Sequence, residues 1–217
     1  MTVDTILAML MEGMVVSFEV FVVTLLGSLP LGMLVCLGRM SKFKPLQWLM
    51  RFYISILRGT PLMLQLFVVY YCPYYVFGLQ VGTGFRLTAT FIAFILNYAA
   101  YFAEIYRSGL ESIPVGQYEA ANVLGYSKSQ TFFKIILPQV IKRILPAMAN
   151  EVITLVKDTS LAFAIGVAEM FTTAKAIAAS QRSMIAFVFA AAIYWVFNLL
   201  VEFIMGRFEK KMSYYHE

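Results

Sequence analysis

The sequence predicts an all-α integral membrane protein with five transmembrane helices and a long cytoplasmic loop between the third and fourth. Three observations lead there. Only 13% of the 217 residues are charged and 61% are hydrophobic, too little charge to cover a soluble domain of this size, so lipid must solvate part of the surface. Five stretches, approximately 14–37, 52–76, 87–108, 145–167 and 184–206, meet the length of roughly 20 mainly apolar residues that crossing a bilayer requires. These runs are continuous rather than alternating, and lipid cannot satisfy free backbone N–H and C=O groups, so helices are selected over a barrel. The chain reads as one domain, 1–217, without an internal repeat.

Charge placement sets the expected topology. Arg39, Lys42, Lys44 and Arg51 flank the gap between spans one and two, Arg107, Lys128, Lys134, Lys142 and Arg143 fall between spans three and four, and Arg207, Lys210 and Lys211 follow span five. The opposite loops hold only Arg86, Lys175 and Arg182. Basic loops stay in the cytoplasm, which puts the N-terminus outside and the C-terminus inside. The net charge of +5 is therefore a topology signal and not a nucleic-acid signal. No basic stretch precedes the first apolar run, so no cleavable signal peptide is expected. Cys36 and Cys72 fall near opposite faces of the membrane and read as two buried apolar cysteines rather than a disulfide.

Taken in order, span one carries Ser28, Gly32 and Cys36 at i, i+4 and i+8, a small-residue stripe for close helix approach. Trp48 and Tyr53 follow at the expected headgroup level. Arg58-Gly59-Thr60-Pro61 interrupts the second apolar run, so Gly59 and Pro61 should bend or start the membrane helix there, and Cys72-Pro73 through Gly84 reads as an external loop. The loop 109–144 is too long for a mere connection. Pro114 and Gly116 precede a short helix whose first turn is expected to hold Glu119, where the dipole favours a carboxylate. Gly125 should close that helix, and Ser127 with Gln130 fits a capping box that restarts a helix toward Pro138.

That loop contains Glu119-Ala120-Ala121, three residues, Gly125, nine residues, then Ile135-Ile136-Leu137-Pro138. The spacing resembles the "EAA" loop of the permease subunits of bacterial ABC importers. Leu57-Arg58-Gly59-Thr60-Pro61-Leu62, Tyr101-Phe102-Ala103-Glu104-Ile105-Tyr106-Arg107-Ser108-Gly109 and Lys157-Asp158-Thr159-Ser160-Leu161 resemble the polar amino acid branch of that superfamily. Where members often have a proline before the last Glu of Ile165-Gly166-Val167-Ala168-Glu169, this chain has Ala168. The resemblance covers nearly the whole chain and implies a permease that imports a polar amino acid, or a close analogue such as cystine, across the bacterial cytoplasmic membrane by alternating access. It further implies that the loop is a coupling helix, with Glu119, Ala120, Ala121, Gly125, Leu137 and Pro138 docking a separate ATPase subunit, present in two copies. A second permease, identical or homologous, and an extracytoplasmic substrate-binding protein complete the implied assembly. ATP and Mg would be bound by the ATPase, so this chain needs no cofactor and is not itself an enzyme. On this reading a lysine at 119 would uncouple transport by putting positive charge at the helix start.

The spans agree that something polar crosses. Asn97, Tyr101, Glu104, Ser108 and Glu111 share one face of the third helix, a stripe that lipid would reject. Asn150, Thr154 and Lys157-Asp158-Thr159-Ser160 lie in the fourth span, Asn198 and Glu202 in the fifth, and Gln65 in the second. Asp158, Thr159, Ser160, Gln65 and Asn97 are the candidate substrate-path residues, a carboxylate to pair with an ammonium and hydroxyls or amides to hydrogen-bond; the alternative role for each is to hold the bundle together. Glu104 and Arg107 read as a mutual pair, with a gating role second, and His216 as an idle terminal residue. No phosphate-binding Gly-x-x-x-x-Gly-Lys-Ser/Thr loop and no metal-ligand spacing occurs. A self-sufficient carrier would need no ATPase, but carriers commonly show paired repeats, and a non-transporting scaffold leaves the polar stripe unexplained.

Overall fold

The computed structural model describes residues 1–212, so His216 lies outside the described residues. The order is α1 Val3–Arg39, α2 Lys44–Gly59, α3 Leu62–Phe77, α4 Phe85–Glu111, α5 Val115–Val123, α6 Lys128–Gln130, a π-helical stretch Thr131–Ile136, α7 Leu137–Asp158, a 3-10 stretch Thr159–Ile165, α8 Met170–Gln181 and α9 Ile185–Met212. Among the described residues three helices are long and apolar enough to cross a membrane, and the count reaches five when each of two bent pairs is taken as one span. No strand occurs among the described residues.

Several boundaries move, each for a physical reason. The first helix begins at Val3 rather than at 14, because Thr2 caps it by accepting from the Thr5 N–H at 3.4 Å; its 37 residues span about 55 Å, more than a bilayer core. The second span is two helices enclosing 110° across Thr60-Pro61. Pro73 is carried inside α3, which runs to Phe77, so residues 72–77 are helix and not external loop. Residues 145–167 are not one straight span: α7 tightens to 3-10 geometry after Asp158, turns at Gly166, and α8 leaves at 57°. The stretch around Lys175, expected as loop, is helical because Glu169 caps α8. Glu119 is not in a first turn, since Pro114 caps α5 and the helix starts at Val115. The restarted helix does not stop at Pro138 either. Pro138 cannot donate to the carbonyl four residues back and its ring crowds that turn, and the helix answers by widening to π geometry just ahead of it.

The bundle is organised around α4, whose most apolar stretch is 56% buried, against 39% for that of α1 and 11% for that of α9. Helices α1 and α4 lie against each other along most of α4. A Cβ at Gly32 would sit 2.9 Å from the Phe102 Cβ and 3.0 Å from the Ala99 carbonyl oxygen, so glycine is what permits this contact. Ser28, Gly32 and Cys36 are all buried on that face, and Cys36 and Cys72 are both free thiols. A second apolar cluster joins Ile6, Leu10 and Met14 to Met170, Ala174 and Ile177 of α8 and Ala186 and Ala190 of α9. It explains why the first helix runs past the bilayer length.

Between these clusters sits Glu169, fully buried. Its Oε1 accepts from the Thr172 N–H at 2.7 Å and the Thr172 hydroxyl at 2.8 Å. Its Oε2 accepts from the Phe171 N–H at 2.7 Å, the Tyr194 hydroxyl at 3.1 Å and the Ser17 hydroxyl at 3.4 Å. One carboxylate thus ties α1, α8 and α9. Truncation takes this acceptor from all five donors; the Ser17 hydroxyl retains the Gly13 carbonyl at 3.3 Å, but the two N–H groups at the start of α8 lose their cap. Glu169→Ala is expected to lower the melting temperature of the detergent-solubilised chain by roughly 6–12 °C, for a loss of about 3 kcal/mol. An unchanged melting curve would show that the carboxylate does not hold these helices.

Candidate functional site

The break between α2 and α3 builds one wall of the site. Thr60 is extended at φ −122° and ψ 148°, as a residue before proline prefers, and the helix carbonyls freed there need donors that lipid does not supply. The Leu57 carbonyl accepts from the Gln65 amide at 2.8 Å and from the Asn97 amide at 3.0 Å. The Asn97 amide also donates to the Gln65 Oε1 at 2.9 Å, and Gln65 donates to the Thr60 carbonyl at 3.0 Å. Two side-chain amides therefore splint the break and fix it against α4.

Facing this wall is α7. Glu151, Thr154 and Asp158, spaced i, i+3 and i+7, share one helix face. With Thr60, Pro61, Leu62, Asn97, Tyr98, Tyr101 and Leu161 they line a cavity of about 380 Å³, the size of a small-molecule site. The Asp158 Oδ2 accepts from the Tyr98 hydroxyl at 2.7 Å. The lining includes two carboxylates, two tyrosines and no Lys or Arg, an arrangement that suits a cation.

A second cavity of about 430 Å³ continues the groove, sharing Tyr101 and Glu151 with the first. Here the charge reverses. The Arg58 guanidinium lies 5.1 Å from the centre of the Tyr101 ring. The Glu104 carboxylate pairs with Arg107 at 2.7 Å, Arg39 at 3.6 Å and Arg58 at 3.9 Å. The expected Glu104–Arg107 pair is thus present inside a larger cluster that joins α1, α2 and α4. Arg107 also bonds Glu111.

Beyond that cluster the chain from Val115 to Phe133 forms a helix, a glycine turn and a second helix. Gly125 has φ +76°, open to glycine at no cost. Its N–H bonds the Asn122 carbonyl at 3.0 Å while the Tyr126 N–H bonds the Ala121 carbonyl at 3.0 Å, the paired bonds of a Schellman ending. The capping box is complete: the Ser127 N–H donates to the Gln130 Oε1 at 2.9 Å and the Gln130 N–H to the Ser127 Oγ at 3.3 Å. Ala121 is buried while Ala120 and Glu119 are exposed. Ile113, Ile136 and Val140 pack beneath as a small separate cluster, with Leu137 half-buried and Pro138 exposed. The outer surface is apolar, with Val123 87% and Leu124 73% exposed, alongside Val115, Tyr118 and Phe133. Such a patch marks a contact surface.

Of the candidates from sequence, the structure brings Asp158 and Asn97 onto one cleft. Gln65 stands behind it, in the splint. Thr159 is buried and its hydroxyl donates to the Val156 carbonyl at 2.8 Å; the Ser160 hydroxyl donates to the Lys157 carbonyl at 2.7 Å. Glu202 lies apart, in a cavity with Leu199, Phe203 and Arg207 on α9. Tyr98 and Glu151 also line the cleft and are not among the sequence candidates. Asn150 does not line it, whereas Glu151, Thr154 and Asp158 at i, i+3 and i+7 share the face that does.

Residues 28–214 match the family described as "Binding-protein-dependent transport system inner membrane component". The chain is 36% identical over 205 residues, covering 94% of it and 86% of the relative, to the L-cystine transport system permease protein TcyB of Bacillus subtilis (strain 168). It is 37% identical over 208 residues, 94% of this chain and 92% of the relative, to the arginine transport system permease protein ArtQ of the same organism. Among solved structures, the crystal structure of an amino acid ABC transporter with histidines superimposes with a TM-score of 0.87 at 31% identity, covering 97% of this chain and 100% of that one.

Proposed function

This chain belongs to the binding-protein-dependent transport system inner membrane component family, and from that premise we propose that it is one permease subunit of an ATP-driven importer of polar amino acids. The observation that carries this reading is the cleft in which Asp158 and Glu151 face the splinted break at Thr60-Pro61 with no cation among the lining residues. An amino acid brings an ammonium group, and the partly buried Asp158 and Glu151 carboxylates supply the opposing charge. The Tyr98 hydroxyl holds the Asp158 carboxylate in place at 2.7 Å. Asn97 and Thr154 supply neutral hydrogen-bonding groups. Relatives named for L-cystine and arginine support a substrate of this class.

A second permease, identical or homologous, joins this chain and completes the pathway. Two copies of a separate ATPase subunit hold ATP and Mg²⁺ and dock on the α5 knob, where Glu119, Ala120, Ala121 and Gly125 form the first helix and turn and Leu137 and Pro138 close its base. Because the knob is continuous with α4 on one side and α7 on the other, movement of the ATPases is passed to both walls of the cleft. The opening then alternates between the two faces of the cytoplasmic membrane. The substrate-binding protein delivers at the end remote from the Glu104 cluster, and the basic end faces the cytoplasm, with the N-terminus outside. ATP hydrolysis belongs to the partner.

The test is transport itself. The full chain is affinity-purified from its own membrane with whatever subunits accompany it, and reconstituted into proteoliposomes. Uptake of labelled arginine, histidine, cystine and glutamine is then followed with and without ATP. ATP-dependent accumulation of one of these after addition of its binding protein is the expected result. Accumulation that persists when no ATPase is present would overturn the reading.

A further inference from the structure

The structure assigns to a cavity at the basic end of the bundle a binding site for the headgroup of an anionic phospholipid. The cavity, of about 250 Å³, lies between the end of α1, the middle of α2 and the end of α4, and is lined by Arg39, Met40, Gln47, Arg51, Arg107 and Glu111. It is distinct from the acid-lined cleft and takes no part in the transport reading, from which it is independent.

The cations here are not all spent on protein partners. Arg107 is committed to Glu104 and Glu111. Arg39 turns its buried Nε toward Glu104 at 3.6 Å, beyond hydrogen-bond distance, and lines the cavity as well. Arg51 is exposed and makes no ion pair among the described residues. The Gln47 amide donates to the Arg39 carbonyl at 3.3 Å, which holds α2 against the end of α1. The result is a pair of guanidinium groups on a pinned frame, one weakly paired and one without an ion-pair partner among the described residues, and a phosphodiester offers both of them an anionic acceptor.

What surrounds the cavity points to lipid rather than to a free anion. From Ser41 to Pro61 the chain contains Lys42, Lys44, Arg51 and Arg58 and neither Asp nor Glu. Helix α2 presents three faces. Met50, Tyr53, Ile54 and Leu57 pack inward; Lys44, Arg51, Ser55 and Arg58 form a polar face; and Trp48, Phe52 and Ile56 form an exposed apolar one. The Trp48 and Phe52 rings stack at 5.6 Å and 7° and remain 66% and 53% exposed. Exposed aromatics beside clustered cations are the pattern of a helix lying at the headgroup and acyl boundary. The axes of α2 and α3 enclose 110°, so the two cannot both follow the bilayer normal. The phosphate therefore sits on Arg39 and Arg51 while the acyl chains pass along Trp48, Phe52 and Ile56. A free phosphate ion makes no use of that apolar face.

Trp48 is itself the reporter. The full chain, with Trp195→Phe to remove the other tryptophan, is placed in lipid nanodiscs. These contain equal mole fractions of brominated phosphatidylglycerol or brominated phosphatidylcholine in an unbrominated zwitterionic background. Stronger quenching of Trp48 by the anionic lipid is expected. Arg51→Gln should cut that enrichment by up to about five-fold at low salt, and Arg51→Lys, which keeps the charge, should restore most of it. Lys175→Gln, on α8 at the other end of the bundle, should change nothing. Equal quenching by the two lipids, or a preference that survives Arg51→Gln, would overturn the proposal. So would a preference abolished by millimolar inorganic phosphate at constant ionic strength, because the site would then take the free ion. None of these readouts requires transport, so failure here and failure of the transport reading are separable.

Discussion

Asp158→Asn is expected to raise the substrate KM for uptake of a cationic amino acid by about 30-fold or more in proteoliposomes, while leaving the chain folded and assembled. The amide keeps the size of the carboxyl and can still accept from the Tyr98 hydroxyl, which now bonds the Oδ2 at 2.7 Å. What it loses is the charge, in a cleft whose lining contains no compensating cation. Removing one partner of a desolvated charge pair costs about 2–5 kcal/mol, and at about 1.4 kcal/mol per tenfold that range begins near 30-fold. Thr159→Val is the internal comparison. Its hydroxyl is turned to the Val156 carbonyl, so the variant should change stability more than KM. Uptake by Asp158→Asn within two-fold of the parent would remove Asp158 from the substrate path.

The contrast between Asp158 and its two neighbours shows where sequence reading loses resolution. Three adjacent polar residues in an apolar run announce a site, but successive helical positions point roughly 100° apart, and here the helix also tightens to 3-10 geometry at Thr159. Nothing in the residue types says that Asp158 faces the cleft while Thr159 is buried. Gln65 and Asn97 were visible as costly polar groups within spans. That they splint the Thr60-Pro61 break depends on a contact between residues 32 positions apart, which no local pattern encodes. The break itself was plain from Gly59 and Pro61, because proline chemistry is local. Gly125 and the Ser127–Gln130 box were legible for the same reason. Helix α8 was not, since Lys175 and Gln181 dilute its hydropathy and Glu169, its cap, acts through buried partners on α1 and α9. The all-α membrane class was legible from composition together with the length and continuity of the apolar runs.

Leu124→Asp is expected to release the ATPase subunit from the purified complex, lowering its co-purification at least tenfold without unfolding the chain. Leu124 is 73% exposed and Val123 87% exposed at the tip of the knob, so neither supports the fold of this chain and both are available to a partner. Fully burying a leucine side chain is worth about 1.5–3 kcal/mol, and a carboxylate in its place must also be desolvated. Gly125→Val tests the same surface by another route. With φ at +76°, a β-branched residue is strained by about 1–2 kcal/mol, which should displace Tyr126 and Ser127 and misdirect the second helix. Glu119 needs a different account from the one its sequence position suggested. It is exposed and lies in the second turn of a helix that begins at Val115, so the dipole at the helix start gives it little. Loss of docking in Glu119→Lys would therefore report a direct contact with the partner. An ATPase retained at full stoichiometry by Leu124→Asp would show that the knob is not where the motor attaches, whatever the effect at residue 119.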